Sequence, residues 1–313
     1  MRMPPLVVAL GGNAIARPGA DDPDAQLHAV EAAMDNVAEL VVEGYDVALT
    51  HGNGPQVGNL MIKNQVARDV VPPVPLDWCV AQTQATIGYL IVTCLERALR
   101  RRGVRRIVAT LVTRVLVDAD DPAFDRPTKP IGRYASEAEA RAHIADGETW
   151  KPSGSEGWRR VVPSPQPRAI LDQDAAVQLL RERAVVVAAG GGGIPMVREG
   201  GGLKGVEAVL DKDLSAALLA RAISAECLVI ATDVPAAATG FGTSGQEWLG
   251  RVTPARLREL AAEGQFESGS MGPKVAACAD FVEATGARAV ITSLESLQDG
   301  ARGVVGTVVE PAR

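Results

Sequence analysis

Residues 6–13 read LVVALGGN. Five apolar residues without alternation run straight into two glycines and an asparagine. A strand with one wet face alternates apolar and polar side chains, whereas a strand covered on both faces is apolar throughout. LVVAL therefore reads as a buried strand of a parallel sheet, and GGN as the turn at its carboxyl end. The same pattern recurs at DVALT (46–50), RIVATLVTRVLV (106–117), AVVVAA (184–189), ECLVIAT (226–232) and RAVIT (288–292), and GVVGTVVE near the C-terminus adds a late strand. Helical periodicity between these runs predicts helices over 24–43, 55–68, 79–101, 173–183, 211–224, 254–264 and 273–285. Alternating strands and helices predict an α/β fold, a three-layer αβα sandwich around a mainly parallel central sheet.

The chain has 313 residues, 47% of them hydrophobic, enough for one large core. We expect a single domain over 1–313, interrupted at 118–168, where PTKPIGRY, WKPSG and VVPSPQP are dense in Pro, Ser, Gly and charge. That segment reads as a small inserted subdomain or lid, or else as a disordered loop; Tyr134, Trp150 and Trp158 favour packing. AAATGFGTSGQEW (236–248) reads as a loop. The net charge of −6 gives no general affinity for nucleic acid or acidic membranes. The apolar run in MRMPPLVVALGGN is too short for a signal peptide or a membrane span, which places the expected location in the cytoplasm. Cys79, Cys94, Cys227 and Cys278 have no C-x-x-C spacing and read as buried thiols, and His28, His51 and His143 show no metal-binding spacing.

Four glycine-bearing turns flank the predicted elements: GGN (11–13), HGNGPQVG (51–58), GGGG (190–193) and SGSMGPK (268–274). Ligands of open α/β sheets bind outside the carboxyl ends of strands, and glycine lets backbone N–H groups approach an anion there. Any single such turn can equally be a tight turn and nothing more. Only six of the 32 basic residues are lysine, so each lysine invites a chemical reason. Lys212 lies between Asp211 and Asp213 at the start of a helix. Asp211 can cap that helix, and the two carboxylates would hold Lys212 in place and charged. Lys274 follows Pro273 at a helix start, where the helix dipole opposes a cation unless an anion is near; a solvated surface lysine is the alternative. Glycine amides and two lysines at sheet ends suit phosphoryl transfer, which needs positioning and positive charge more than covalent chemistry. The G-x-x-x-x-G-K-[ST] signature is absent, GGNAIA after the first strand lacks the G-x-G-x-x-G pattern of a dinucleotide fold, and no Ser-His-Asp or Cys-His arrangement is evident.

The ordered set VVALGGNAI, THGNGPQVGNL, PLDWCVAQTQATIGY, PTKPIG, RRVVPSPQP, GGGGIP, VLDKDLSAALLA, GSMGPKVAAC and AVITSLE strongly resembles carbamate kinase, a family of the amino acid kinase fold, over residues 6 to 309. The resemblance implies reversible transfer between ATP and carbamate giving ADP and carbamoyl phosphate, with Mg²⁺, in the ATP-forming direction in arginine catabolism. It implies that Gly11, Gly12, Asn13, Gly52 and Asn53 surround carbamate and the moving phosphoryl group. Lys212 and Lys274 would neutralise the β/γ-phosphates, Asp213 with Asp211 would orient the lysines, and Lys129 would reach in from the insertion. Asp233, Ser270 and Met271 would lie along the nucleotide, and no protein ligand to the metal is implied. The resemblance also implies a homodimer. The stretch 236–248, expected beside the nucleotide, departs from the family pattern and lacks its lysine. Alternatives are a kinase of the same fold acting on another small carboxylic acid, or a nucleotide-binding regulator without catalysis.

Overall fold

The computed structural model describes residues 3–12, 15, 22–154, 156–267 and 269–312. Strand β1 (Pro5–Leu10) is followed by α1 (Pro23–Val42), β2 (Asp46–His51), α2 (Gly54–Ala67) and α3 (Leu76–Arg101). Next come β3 (Val108–Thr110), β4 (Arg114–Val117), β5 (Lys129–Ala135), α4 (Glu137–Ala145), β6 (Trp150–Pro152) and β7 (Trp158–Val162). The chain returns through β8 (Pro167–Ile170), α5 (Gln173–Arg181), β9 (Val185–Val187), β10 (Ile194–Glu199), β11 (Gly202–Gly205), α6 (Lys212–Ala222) and β12 (Cys227–Thr232). It closes with β13 (Ala238–Thr239), β14 (Glu247–Trp248), β15 (Arg251–Val252), α7 (Pro254–Ala262), α8 (Met271–Thr285), β16 (Arg288–Ser293), α9 (Leu297–Ala301) and β17 (Thr307–Val309).

The central sheet has the order β15-β17-β16-β12-β1-β2-β9-β3. Every pairing in it is parallel except β16 with β17. Because side chains alternate across a strand, LVVAL feeds two cores at once. Val7 and Ala9 join Ala216 and Leu219 of α6 and Cys278 and Phe281 of α8 on one face. Leu6, Val8 and Leu10 join Val37 of α1 and Ile87, Ile91 and Leu95 of α3 on the other. The expected three layers are thus present. By length and composition α3 is the one helix among the described residues that could cross a membrane; half of that apolar stretch is buried within the protein.

Some expected boundaries differ. RIVATLVTRVLV is two strands in two sheets: β3 ends the central sheet, while β4 pairs with β10 and β8 in a second one. The break falls at Thr113. Its N–H donates to Gln84 Oε1 at 2.7 Å, and its carbonyl accepts from Gln84 Nε2 at 3.1 Å as well as from the Ile194 N–H at 2.9 Å, so a buried side chain takes the place of a ladder partner for the N–H. Helix α8 begins at Met271, two residues before Pro273. On α6 Ala216, Ala217, Leu219 and Ala220 are buried, with Leu214 and Leu218 only partly covered. The 236–248 loop contains the β13–β14 hairpin.

The described residues of the 118–168 insertion are organised by local chemistry. Ser136 and Glu139 form a reciprocal capping box that starts α4, and β5, β7 and β6 form a three-stranded antiparallel sheet. This unit rests on α2 through a glycine pair: a Cβ on Gly58 would lie 2.0 Å from the Cα of Gly132. Four buried, unbridged cysteines match the expectation for them.

Candidate active site

Five adjacent strands, β16-β12-β1-β2-β9, bring their carboxyl ends to one rim. A cleft of about 860 Å³ opens there. Gly11 and Gly12 reach it after β1, Gly52 and Asn53 after β2, Gly191 after β9, and Asp233 after β12. Gly11 is required by packing, since a Cβ there would lie 2.9 Å from the carbonyl oxygen of Ala231 on the neighbouring strand.

Opposite these turns, three lysines from three segments meet on two aspartates. Helix α6 starts because Asp211 Oδ1 accepts the Asp213 N–H at 2.9 Å, the expected cap. That start projects Lys212, whose Nζ donates to Asp213 Oδ1 at 2.5 Å. Lys274, in the first turn of α8, donates to Asp213 Oδ2 at 2.9 Å. Lys129, the first residue of β5, donates to Asp211 Oδ2 at 2.7 Å. The anion that a lysine at a helix start demands is therefore Asp213, itself in the first turn of another helix. Lys274 is not a solvated surface residue: its side chain is only 13% exposed.

Burial and charge pull these groups in different directions. Burial alone would raise the Asp213 carboxyl, but the two ammonium groups lower it to about 2, so it is ionised at neutral pH. For Lys274 burial opposes the charge, yet Asp213 outweighs it and the ammonium is stabilised. For Lys212 burial prevails, aided by repulsion from Lys274, and its pKa falls despite Asp213. Of the two flanking aspartates Asp213 holds Lys212 while Asp211 engages Lys129 instead, and the hold of Lys212 on its proton is weakened rather than strengthened. His51, at the end of β2, is fully buried and is pushed down to about 4, mainly by desolvation. It is therefore neutral at pH 7. Its Nδ1 lies 2.8 Å from the Gly52 carbonyl, and a Cβ on Gly190 would lie 2.3 Å from its Nε2.

Of the residues singled out in the sequence, Gly11, Gly12, Gly52, Asn53, Lys129, Asp211, Lys212, Asp213, Asp233, Ser270 and Lys274 line this cleft. Asn13 lies outside the described residues. Met271 does not line the cleft; as the first residue of α8 it packs against the core. Residues 236–248, expected beside the nucleotide, do not line it either. Gly191, Asn36 and Glu295 do line it but were not chosen as site residues. Gly191 sits in the GGGG turn and Glu295 in AVITSLE, so both carried a signal; Asn36, midway along α1, carried none. Among the described residues no group of three or more His, Cys, Asp or Glu side chains is placed to hold a metal ion. The central carboxylates Asp211 and Asp213 are engaged by ammonium groups instead.

The sequence profile described as "Amino acid kinase family" matches residues 4–293. The chain belongs to the amino acid kinase family. Among its family relatives, a carbamate kinase of Thermococcus kodakarensis is 43% identical over 97% of this chain and 98% of its own length. A carbamate kinase-like protein, YahI, of Escherichia coli (strain K12) is 44% identical over 96% of this chain and 97% of its own. A solved structure of carbamate kinase from Giardia lamblia bound to AMP-PNP superposes with a TM-score of 0.92 at 38% identity, covering 99% of each chain. The α/β fold with a mainly parallel sheet is thus that of carbamate kinase structures.

Proposed function

We propose that this protein is a carbamate kinase, an ATP:carbamate phosphotransferase. One observation carries the reading: ammonium groups from β5, α6 and α8 converge beside the glycine turns of β1 and β2. In the forward reaction a carbamate oxygen forms a bond to the γ-phosphorus of ATP while the bond from that phosphorus to the ADP oxygen breaks. The acceptor is already an anion, so no general base is required, and neutral His51 has no proton to take. An ammonium group has three N–H donors. Each lysine gives one to an aspartate, leaving others for the three outer oxygens of the moving phosphoryl group, where charge stabilisation counts most. Asp213 fixes Lys212 and Lys274 relative to each other, and Asp211 fixes Lys129 while capping α6.

Gly11, Gly12, Gly52 and Asn53 would border the acceptor, and Asp233 and Ser270 the nucleotide. Asn13 belongs to the first group on sequence alone. Mg²⁺ would come with the ATP or ADP phosphates as part of the substrate, since the central carboxylates form no cage for it. Residues 118–168 would act as a lid that brings Lys129 over the reacting groups. A cytoplasmic homodimer working in arginine catabolism, in the ATP-forming direction, is the setting we propose. Trp78, Tyr89, Ile107 and Val112, exposed on α3 and beside edge strand β3, support self-association.

The test is to supply purified protein with ADP, carbamoyl phosphate and Mg²⁺. ATP should form; its absence would overturn the acceptor assignment. A second reading, a kinase of the same fold for another small carboxylic acid, is kept open by the 44% identity to the carbamate kinase-like YahI. A panel of acids supplied with ATP separates the two.

A further inference from the structure

The segment AQTQATIG (81–88) of α3 lies behind the cleft, yet two of its four polar side chains, Thr83 and Gln84, are buried. Thr83 and Gln84 are each 2% exposed. Gln84 Nε2 donates to the Gly190 carbonyl at 3.0 Å as well as to Thr113, tying the GGGG turn to the strand break. Thr83 does something more specific. Its hydroxyl has one proton. That proton is given to the Val80 carbonyl at 2.6 Å, which can only accept. Thr83 Oγ1 must then act as acceptor toward Asn53, and it does, from Asn53 Nδ2 at 2.9 Å. The amide of Asn53 cannot be turned over without setting carbonyl oxygen against an oxygen that has no proton to offer.

Asn53 is the residue at the N-cap of α2, where an asparagine normally uses Oδ1 to accept a first-turn N–H. Here it makes no such bond. Its side chain is instead anchored by Thr83 and wedged against Gly191, where a Cβ would lie 2.2 Å from Nδ2. Asn53 lines the cleft, and its Oδ1 accepts no hydrogen bond from any described residue.

We propose that Asn53 is a specificity-determining residue whose Oδ1 accepts an N–H of the acceptor substrate, and that Thr83 is the positioning residue that fixes this orientation. The inference rests on the carbamate kinase reading. It makes the site selective for amino-bearing carboxylates, carbamate above all, over acetate-like acids that offer a methyl group. A polar group aimed at a substrate N–H is left unpaired by an analogue that lacks it, which is a strong basis for rejection.

The experiment compares carbamoyl phosphate with acetyl phosphate as phosphoryl donors to ADP, in wild type, Thr83→Val and Thr83→Ser. Thr83→Val keeps shape but removes the acceptor for Nδ2 and lets the amide turn over. The ratio of kcat/KM values, carbamoyl over acetyl phosphate, should fall about tenfold, chiefly through the carbamoyl substrate, and Thr83→Ser should restore it. Thr83→Ala gives the same reading if Thr83→Val does not yield folded protein. A ratio unchanged in a variant lacking the hydroxyl, or lost in Thr83→Ser, would overturn the inference while leaving the enzyme a carbamate kinase. A wild type inactive on carbamoyl phosphate would instead overturn the functional reading itself.

Discussion

Lys274, in the first turn of one helix, donates to Asp213, in the first turn of another, across 2.9 Å. Two positive helix ends face each other, and one carboxylate with two ammonium groups sits between them. Stability alone would not call for a second ammonium there, because burial works against each charge. The surplus of positive charge has a use once a phosphoryl group enters.

Removing either Lys212 or Lys274 by alanine substitution should therefore lower kcat by about 10²–10³-fold, the scale of losing one preorganised donor. Steady-state assays of ATP formation check this. A regulator without catalysis would show altered nucleotide affinity and no turnover to lose.

Asp213→Asn should cost more than either lysine in stability. It leaves two buried ammonium groups side by side without their carboxylate, a break worth about 3–5 kcal/mol. The Lys212 pKa, already lowered by burial, should fall further. A thermal melt reads the first effect. A downward shift of the alkaline limb of the pH–rate profile reads the second.

His51 predicts how stability changes in acid. Its ordinary value of 6.5 falls to about 4 on folding, so between those pH values the unfolded chain binds a proton that the folded one does not. Stability is then complete above pH 6.5 and is lost on acidification toward pH 4, by about 3 kcal/mol at about 1.4 kcal/mol per pH unit. Asp213 adds a loss of the same sign only at lower pH, between 3.8 and about 2. Denaturant titrations from pH 7 to pH 4.5 should show the slope, and His51→Gln should flatten it.

The Gly58–Gly132 contact gives a prediction about the insertion. In Gly58→Ala the new Cβ meets backbone, so α2 and β5 must separate, at a cost of about 1–3 kcal/mol. Lys129 moves with β5, so activity should fall as well. Gly250→Ala, whose Cβ meets nothing within 4 Å, should change stability by no more than about 0.5 kcal/mol. Melts and activity assays of the two variants check both statements.

Much of this was readable from residues alone, for reasons that differ by region. LVVAL betrays its place in the sheet because a strand covered on both faces cannot tolerate alternation, and Leu6–Leu10 indeed feeds both cores. The scarcity of lysine drew notice to Lys212 and Lys274 at helix starts, the family resemblance singled out Lys129, and all three line the cleft. The split of 106–117 was hidden because its cause is Gln84, a side chain 29 residues away in sequence. The pKa of Lys212 was misjudged because neighbouring aspartates are visible in a sequence and burial is not. Asn36 and the anchoring of Asn53 by Thr83 depend on how helices pack, which local pattern does not encode.

The central claim is that three ammonium groups gather on one moving phosphoryl unit. A crystal structure with Mg²⁺, ADP and a planar phosphoryl mimic tests it most directly. Nζ of Lys129, Lys212 and Lys274 should each lie within about 3.2 Å of the mimic's oxygens. Lysines that stay on Asp211 and Asp213 alone, with the mimic held elsewhere, would contradict it.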